Sequence, residues 1–272
     1  MRPTVIKSKD NSLLRRARAV RDGKIDDLIF VEGLRLCEEA LSAGLKIEAV
    51  IYSEEIAVKE RPAQFLKQVS AVTERQASIN ERLLATISYT KTPQGIVVLA
   101  RRPDSSSKQL IVEESKDALI IVMHGVSNPL NVGAIMRSAE AAGATAAIAT
   151  KSTTDPFSAK SLRGAMGSAF RVPTWVGPDY LEMLSWCRAR NIRTVCADVA
   201  TGMPYTDIDW KRSTALIIGP EATGLSPEEL AAAGTAIRIP MHGKVESLNA
   251  GVAAGIMLYE AARQRQGLTQ DV

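Results

Sequence analysis

The order of apolar and polar positions along the chain predicts two regions that both combine strands with helices. In the first hundred residues, short apolar runs alternate with stretches whose apolar residues recur at helical spacing. The predicted helices cover residues 7–22, 32–43, 62–69 and 77–85, and the predicted strands cover residues 28–31, 47–52, 71–73 and 95–100. This alternation indicates a small α/β domain.

The second half of the chain contains longer apolar runs, chiefly at residues 118–123 and 214–218. Runs without polar alternation are typical of strands that are buried on both faces of a parallel sheet. Further strands are predicted at residues 146–150, 193–197 and 236–239, and helices at residues 131–142, 158–168, 180–190, 227–233 and from about 247 to 264. The pattern predicts a doubly wound α/β domain with about six strands.

A boundary is predicted between these regions, because residues 101–108 combine proline, serines and charges without periodicity. We therefore divide the chain into an N-terminal domain at residues 1–103, a linker at residues 104–116 and a C-terminal domain at residues 117–272.

The composition is that of a globular protein, with 46% hydrophobic and 24% charged residues. The three scattered cysteines lack metal-ligand spacing and fit reduced thiols, so we expect a cytoplasmic protein without a metal. The first residues lack the apolar core of a signal peptide, and no apolar run reaches about 18 residues. We therefore expect no membrane span.

Positive charge is concentrated at the start of the chain. Residues 1–24 carry eight basic and two acidic side chains, including Arg15, Arg16, Arg18 and Arg21, whereas the remainder has a net charge of −2. A local basic face suits binding to the phosphates of a nucleic acid, although a solvated helix face would look the same. The low aromatic content of 4% argues against base stacking as the main binding mode.

Three stretches share one order of features: an apolar strand, a polar turn and then a helix. Because ligands of parallel α/β sheets bind at the carboxyl ends of the strands, the three turns should lie on one side of the molecule. In the first stretch, residues 125–138, we expect Asn131 in the turn or cap and Arg137 towards the rim. An arginine there suits a phosphate contact, although a capped helix with an exposed arginine is the alternative.

The second stretch covers residues 219–226. Gly219 ends a strand and Gly224 permits a positive φ, so the loop can offer backbone donors and acceptors to a flat ligand. The stretch has neither the lysine of a phosphate-binding loop nor the spacing of a dinucleotide fingerprint. Glu221 could alternatively cap a helix end.

The third stretch covers residues 238–260. Ser247 is the expected N-cap of its helix. Gly251 and Gly255 each cost about 1 kcal/mol in a helix interior. We therefore expect another part of the molecule, or a ligand, to approach this helix closely.

Together the three stretches resemble the TrmH/SpoU family of RNA 2′-O-ribose methyltransferases, over about residues 117–264. The matching motifs are Asn128-Pro-Leu-Asn131 with Arg137, Gly219-Pro-Glu221 with Gly224-Leu-Ser226, and Ile239-Pro-Met with Ser247-Leu-Asn249. The first hundred residues resemble the substrate-binding domain of L30e type that many members carry. That second similarity rests on Phe30-Val-Glu-Gly33 and on Thr92-Pro-Gln-Gly95.

The resemblance implies a SPOUT methyltransferase domain, in which a parallel sheet carries a trefoil knot that holds S-adenosylmethionine, and a homodimer with the site near its interface. It implies cofactor contacts through the backbone of Gly219, Ile239 and Leu248. It also implies that Arg137 engages the target ribose phosphate and helps to deprotonate the 2′-hydroxyl. The residues implied to order the catalytic site are Asn131, Glu221, Ser247 and Asn249.

The implied activity is methylation of a ribose 2′-hydroxyl in RNA. The separate basic N-terminal domain favours ribosomal RNA over tRNA. A non-catalytic RNA-binding factor for ribosome assembly is the alternative from another class. Pro220 departs from the family pattern, in which many members have a small polar residue, and it removes one backbone donor from the loop. His124 and His242 flank two of the turns but are not required by the pattern, so we expect structural roles for them.

Overall fold

The computed structural model describes residues 3–73, 75–90, 92–110 and 117–266. The chain folds into two compact units. The first unit consists of Met1–Pro103 together with Phe157–Phe170, and the second consists of Asp104–Pro156 together with Arg171–Val272. The sequence did not predict that residues 157–170 would join the first unit.

Helices and strands alternate along most of the chain. The strands are β1 (Thr4–Val5), β2 (Leu28–Glu32), β3 (Ile47–Ser53), β4 (Gln76–Ile79), β5 (Ile96–Arg101), β6 (Leu119–Met123), β7 (Ala146–Ala149), β8 (Thr174–Val176), β9 (Arg193–Ala197), β10 (Met203–Pro204), β11 (Thr214–Ile218) and β12 (Thr235–Arg238). The helices are α1 (Ser12–Arg21), α2 (Leu34–Ser42), α3 (Glu54–Ala57), α4 (Glu60–Val69), α5 (Glu81–Ile87), α6 (Pro129–Ala141), α7 (Ala159–Ala165), α8 (Ser168–Arg171), α9 (Tyr180–Arg188), α10 (Pro227–Ala233) and α11 (Ala250–Gln266).

The first unit contains a mixed five-stranded sheet in the order β1-β4-β3-β5-β2. Strand β5 is antiparallel to both β2 and β3, whereas β4 is parallel to β1 and β3. Helix α1 buries Leu14, Ala17 and Val20 in the core of this unit. The predicted strand at residues 71–73 is wrong, because these residues form the turn that follows α4 and expose Val72.

The second unit contains a seven-stranded sheet in the order β10-β12-β9-β11-β6-β7-β8, and every pair of neighbours is parallel. The predicted parallel sheet is therefore confirmed. Strands β8 and β10 were not predicted, because three and two residues are too short to show a period. The central strands β6 and β11 pair from Leu119 with Thr214 to Met123 with Ile218, so the turns that follow them lie side by side.

Helix α11 packs against α6, and a glycine allows the close approach. A Cβ atom on Gly251 would lie 3.1 Å from the Cβ atom of Ala134, which is tighter than ordinary van der Waals contact. On α6, four residues are fully buried: Val132, Ile135, Met136 and Ala139. The neighbouring helix thus accounts for the glycine at position 251.

Residues 104–110, the first part of the predicted linker, contact the second unit. Leu110 is 5% exposed and belongs to the core of the second unit, and the amide of Val176 donates to the carbonyl of Ser105 at 2.9 Å. These residues therefore pack against the second unit. Residues 111–116 of the predicted linker lie outside the described residues.

Within the described ranges, no helix has the length and apolar character needed to cross a membrane. In the same ranges, no group of three or more His, Cys, Asp and Glu side chains is arranged to hold a metal ion.

Candidate active site

A cavity of about 600 Å³ opens at the carboxyl edge of the parallel sheet. Its walls come from the segments that follow β9, β11 and β12 and from the first turns of α11. The sequence-predicted residues that line it are Asn131, Gly219, Glu221, Ile239, Ser247, Leu248 and Asn249. The structure therefore brings seven of the eight predicted catalytic and cofactor-binding residues to one cavity. The eighth, Arg137, lies on the exposed side of α6 and does not line it.

Glu221 connects the second motif to the first. Its carboxylate accepts hydrogen bonds from the backbone amides of Ser127 at 3.0 Å and Asn128 at 3.1 Å, and from the side-chain amide of Asn131 at 3.0 Å. Asn128 itself caps α6, because its side chain accepts from the amide of Leu130 at 2.9 Å. The alternative role of Glu221 as a simple helix cap is thus replaced by a bridge between two loops.

Asn131 and Asn249 connect the first motif to the third. The side-chain amide of Asn249 donates to the side-chain oxygen of Asn131 at 2.9 Å. The oxygen of Asn249 accepts from the amides of Gly251 at 2.9 Å and Val252 at 3.3 Å. A continuous chain of hydrogen bonds therefore runs from Glu221 through Asn131 to Asn249.

Two predicted helix starts need correction. Ser247 is not the N-cap of the last helix, because α11 begins at Ala250 and the side chain of Asn249 caps it. Asn131 lies inside the first turn of α6, since the helix starts at Pro129 and Asn128 is its cap. Pro129 occupies the first helical position, where its missing N–H costs nothing. The polar side chain of Asn131 is 7% exposed and is satisfied by Glu221 and Asn249.

The charge of Glu221 is stabilised by its partners. Partial burial opposes ionisation, but hydrogen bonds from the Ser127 amide and the Asn131 side chain outweigh it, so the pKa of Glu221 is lowered from its ordinary value. The carboxylate is therefore ionised at neutral pH. An ionised acceptor makes stronger hydrogen bonds to the two loops than a neutral one would.

The loop after β11 depends on two close contacts. A Cβ atom on Gly219 would lie 3.0 Å from the side chain of Leu225, so a larger residue would push the loop outward. Gly125 has a φ of +67°, and a Cβ atom there would lie 2.8 Å from the ring of Pro220. Gly125 therefore leaves room for the ring of Pro220, the residue that departs from the family pattern. The loop also closes on itself, because the amide of Gly224 donates to the carbonyl of Pro220 at 3.0 Å.

Three charged residues of the cavity were missed by sequence reasoning. Asp198 follows β9, Arg238 ends β12 and Glu246 precedes Ser247, and all three line the cavity. Asp198 accepts from the amide of Thr201 at 2.7 Å and from its hydroxyl. Burial opposes ionisation of Asp198, but these hydrogen bonds outweigh it and lower its pKa. The signal was available, because Asp198 follows an apolar strand as the residues of the other loops do.

His124 has a buried environment away from the cavity lining. Its Nδ1 lies 2.9 Å from Oγ1 of Thr150 and its Nε2 lies 3.0 Å from Oε1 of Glu229. Its ring lies 4.4 Å from that of Tyr180. These contacts join β6 and β7 to α9 and α10, so the side chain has a structural role. His242 is exposed and does not line the cavity.

The arginines of α1 lie in the first unit, and three of the four contact protein oxygen atoms. Arg16 forms an ion pair with Glu48, with Nε 2.8 Å from Oε1. Arg18 donates to the carbonyl of Lys9 at 2.8 Å. Arg21 donates to Asp22 and to the carbonyls at the end of α5, which are those of Thr86, Ile87 and Ser88. Arg15 is exposed. RNA binding by these four side chains stays a prediction.

Two family models match the chain. The SpoU rRNA methylase family matches residues 118–259, which include the three motifs and the cavity. The MRM3-like substrate-binding domain matches residues 12–98 of the first unit. The two matches together account for the predicted resemblance to TrmH/SpoU enzymes and to their substrate-binding domain.

Relatives and solved structures agree with these matches. The 23S rRNA (guanosine-2′-O-)-methyltransferase RlmB of Bordetella pertussis is 32% identical over 222 residues, which cover 80% of this chain and 89% of that protein. The 23S rRNA methyltransferase RlmP of Bacillus subtilis is 29% identical over 85% of this chain and 86% of its own.

Among solved structures, the SpoU methyltransferase AviRb from Streptomyces viridochromogenes, in complex with AdoMet, superposes with a TM-score of 0.85. It is 28% identical, and the match covers 94% of this chain and 98% of that one. The AdoMet-bound rRNA methyltransferase from Sinorhizobium meliloti superposes with a TM-score of 0.83 at 31% identity, over 98% of this chain and 99% of that one. The chain therefore belongs to the SpoU rRNA methylase family.

Proposed function

We propose that the protein transfers the methyl group of S-adenosylmethionine to a ribose 2′-hydroxyl of ribosomal RNA. The single observation that carries this proposal is the hydrogen-bonded chain from Glu221 through Asn131 to Asn249 beside the cavity. The chain keeps the three motif loops in a fixed arrangement. A fixed arrangement of this kind is what a site that binds a cofactor and aligns reacting groups requires.

The cavity fits the cofactor by size and by chemistry. Its volume of about 600 Å³ lies within the range of about 300–1,000 Å³ that is usual for small-molecule sites. The backbone of Gly219, Ile239 and Leu248 borders it and can hydrogen-bond to a nucleoside. Asp198, Glu246 and Arg238 supply charges of both signs, which suit the ammonium and carboxylate groups of a methionine moiety.

Bound S-adenosylmethionine supplies a methyl group on a positively charged sulfur. The protein must then align the ribose oxygen with that methyl group and assist removal of the hydroxyl proton. Arg137 is exposed on α6, the helix whose Asn131 lines the cavity, and its guanidinium can bind the phosphate of the target nucleotide. Because a guanidinium stays protonated, Arg137 acts by holding the phosphate and by favouring the negative charge that develops on the oxygen.

The proposal also includes a homodimer, a trefoil knot and a cytoplasmic location. A homodimer is supported by exposed apolar residues on α6 and α11, the two helices beside the site: Leu130, Val252 and Tyr259. Large apolar side chains that are exposed in one chain can be covered by a second copy. The trefoil knot in the methyltransferase domain and the cytoplasmic location rest on the family resemblance and on the reduced cysteines, respectively.

Ribosomal RNA is favoured over tRNA because RlmB of Bordetella pertussis and RlmP of Bacillus subtilis are both named as 23S rRNA methyltransferases. The separate first unit, which matches a substrate-binding domain, supports a large structured RNA. The role as a non-catalytic assembly factor is disfavoured by the seven predicted site residues that line the cavity.

The proposal is tested by incubating the purified protein with unmethylated ribosomal RNA and S-adenosylmethionine carrying a tritiated methyl group. We expect label in the RNA at a nucleotide whose 3′ phosphodiester resists alkaline cleavage, because the 2′-oxygen is methylated. Mapping of 2′-O-methyl positions in RNA from cells with and without the gene then identifies the nucleotide. Label on a base, or label in tRNA only, would contradict the proposal.

A further inference from the structure

The first unit contains a second cavity, of about 200 Å³, where the start of α2 meets the segment after α5 and helix α7. Its apolar wall is formed by Leu36, Ala159 and Met166. Polar and aromatic side chains also line the cavity: Arg35, Tyr89, Gln94 and Arg163. The cavity therefore combines an apolar surface with groups that can bind anions and form hydrogen bonds.

The segment that carries Tyr89 is held in place by Glu32. Its carboxylate accepts from the hydroxyl of Ser88, from the amide of Tyr89 at 2.8 Å and from the hydroxyl of Thr90 at 2.9 Å. Gly33, the N-cap of α2, has a φ of +98°, and a Cβ atom there would overlap with the side chain of Gln94. The cavity is thus preformed, and its one acidic side chain is occupied by two hydroxyls and one backbone amide of the segment after α5.

Three of the polar groups around the cavity are free to bind a ligand. Arg35, Gln94 and Arg163 are exposed, and in the part of the chain that the structure describes none of them has a hydrogen-bond or ion-pair partner. Tyr89 exposes 38% of its surface, and the ammonium of Lys160 lies 5.4 Å from its ring centre. The unpaired side chains at the cavity differ from the arginines of α1, because three of those four arginines already contact protein oxygen atoms.

We propose that this cavity binds one unpaired nucleobase of the RNA substrate. The Tyr89 ring stacks on the base, the Gln94 amide hydrogen-bonds to the base edge, and Arg35 and Arg163 bind the flanking phosphates. Single-stranded loops and bulges are where RNA bases can enter such a pocket. A chain with 4% aromatic residues can still use one of them in this way, because one base needs only one ring. The inference rests on the proposed function, since it names the part of the first unit that the RNA contacts.

The test measures binding of the full-length protein to an unmethylated 23S rRNA transcript over a range of salt concentrations. We expect Tyr89→Leu to weaken binding at least about fivefold, because stacking of one base contributes about 1–3 kcal/mol. Tyr89→Phe should restore most of the affinity. The double variant Arg35→Gln/Arg163→Gln should reduce the slope of log K against log salt by about 0.7–0.9 for each arginine.

The matched control is Lys59→Gln/Lys67→Gln, which removes two positive charges from exposed positions of the same unit at α4. It should change the affinity and the slope much less than the cavity variants do. Calorimetric titration with S-adenosylmethionine and the unfolding temperature confirm that every variant is folded.

If the wild type methylates ribosomal RNA but the cavity variants bind the transcript as the control does, the nucleobase site is wrong while the proposed function stands. If the wild type binds the transcript through Tyr89 without methylating it, the proposed function is wrong while the nucleobase site stands. Absence of RNA binding by the wild type would overturn both.

Discussion

The cavity loops of the second unit and the basic helix α1 of the first unit were both predicted as functional. Their predicted side chains have different contacts in the structure. At the cavity, Glu221, Asn131 and Asn249 come from three distant stretches and hydrogen-bond to one another. On α1, Arg16 binds Glu48 and Arg21 binds the end of α5 instead of facing solvent freely. Motifs that occur in a fixed order along the chain predict which residues come into contact. The number of charges in a segment does not predict what each charged side chain contacts.

Arg137→Ala should lower activity more than any other single substitution at the site. Loss of a group that stabilises developing charge usually lowers a rate by about 100- to 1,000-fold. We expect methylation to fall by that amount, while the calorimetric affinity for S-adenosylmethionine stays nearly unchanged, because Arg137 does not line the cavity. Arg188→Ala, which removes an exposed arginine of α9, is the control. Loss of cofactor binding together with methylation would contradict the assigned role.

A smaller effect is expected from Glu221→Ala. The substitution leaves the amides of Ser127 and Asn128 and the side chain of Asn131 without their acceptor. We expect a loss of about 1–3 kcal/mol in the free energy of unfolding and weaker binding of S-adenosylmethionine. Denaturant unfolding and calorimetry measure the two quantities. Glu228→Ala, at an exposed position of α10, should leave both unchanged; equal effects of the two substitutions would show that the bridge is unimportant.

Acid should weaken the same bridge. The pKa of Glu221 is lowered from its ordinary value of 4.5, because hydrogen bonds to the carboxylate outweigh its partial burial. A lowered pKa in the folded state means that the stabilisation is fully present above the ordinary value and is lost as the pH falls through the folded value. The difference in unfolding free energy between the wild type and Glu221→Gln should therefore be constant near neutral pH and shrink below about 4.5. A difference that does not depend on pH would exclude this linkage.

The smallest effects are expected on α1. Arg15→Gln should lower the salt slope of RNA binding by at most about 0.7–0.9, the value for one phosphate contact. Arg16→Gln should instead cost up to about 1 kcal/mol of stability, because it breaks a partly exposed ion pair with Glu48. Deletion of residues 1–24 is a poor test, since Leu14 and Ala17 are fully buried. If Arg16→Gln reduced the affinity for RNA more than Arg15→Gln does, α1 would be a principal RNA contact despite the ion pair with Glu48.

The parallel sheet and most of the cavity could be predicted because their signals are local. Apolar runs such as residues 118–123 and 214–218 mark buried strands, and polar residues directly after them lie at the carboxyl edge. The N-cap of α11 could not be assigned in the same way, since Ser247 and Asn249 are both good caps and only the contact of Asn249 with Asn131 decides between them. The junction of α7 with the first unit depends on long-range packing that no periodicity records.

The most direct test of the central claim, that the three motif loops form the cofactor site, is a crystal structure of the protein with S-adenosylmethionine. We expect the cofactor in the cavity of about 600 Å³, with backbone atoms of Gly219, Ile239 and Leu248 within hydrogen-bonding distance. The bond between Asn131 and Asn249 should remain in place. A cofactor bound elsewhere, or one that touches none of these three backbone segments, would contradict the claim.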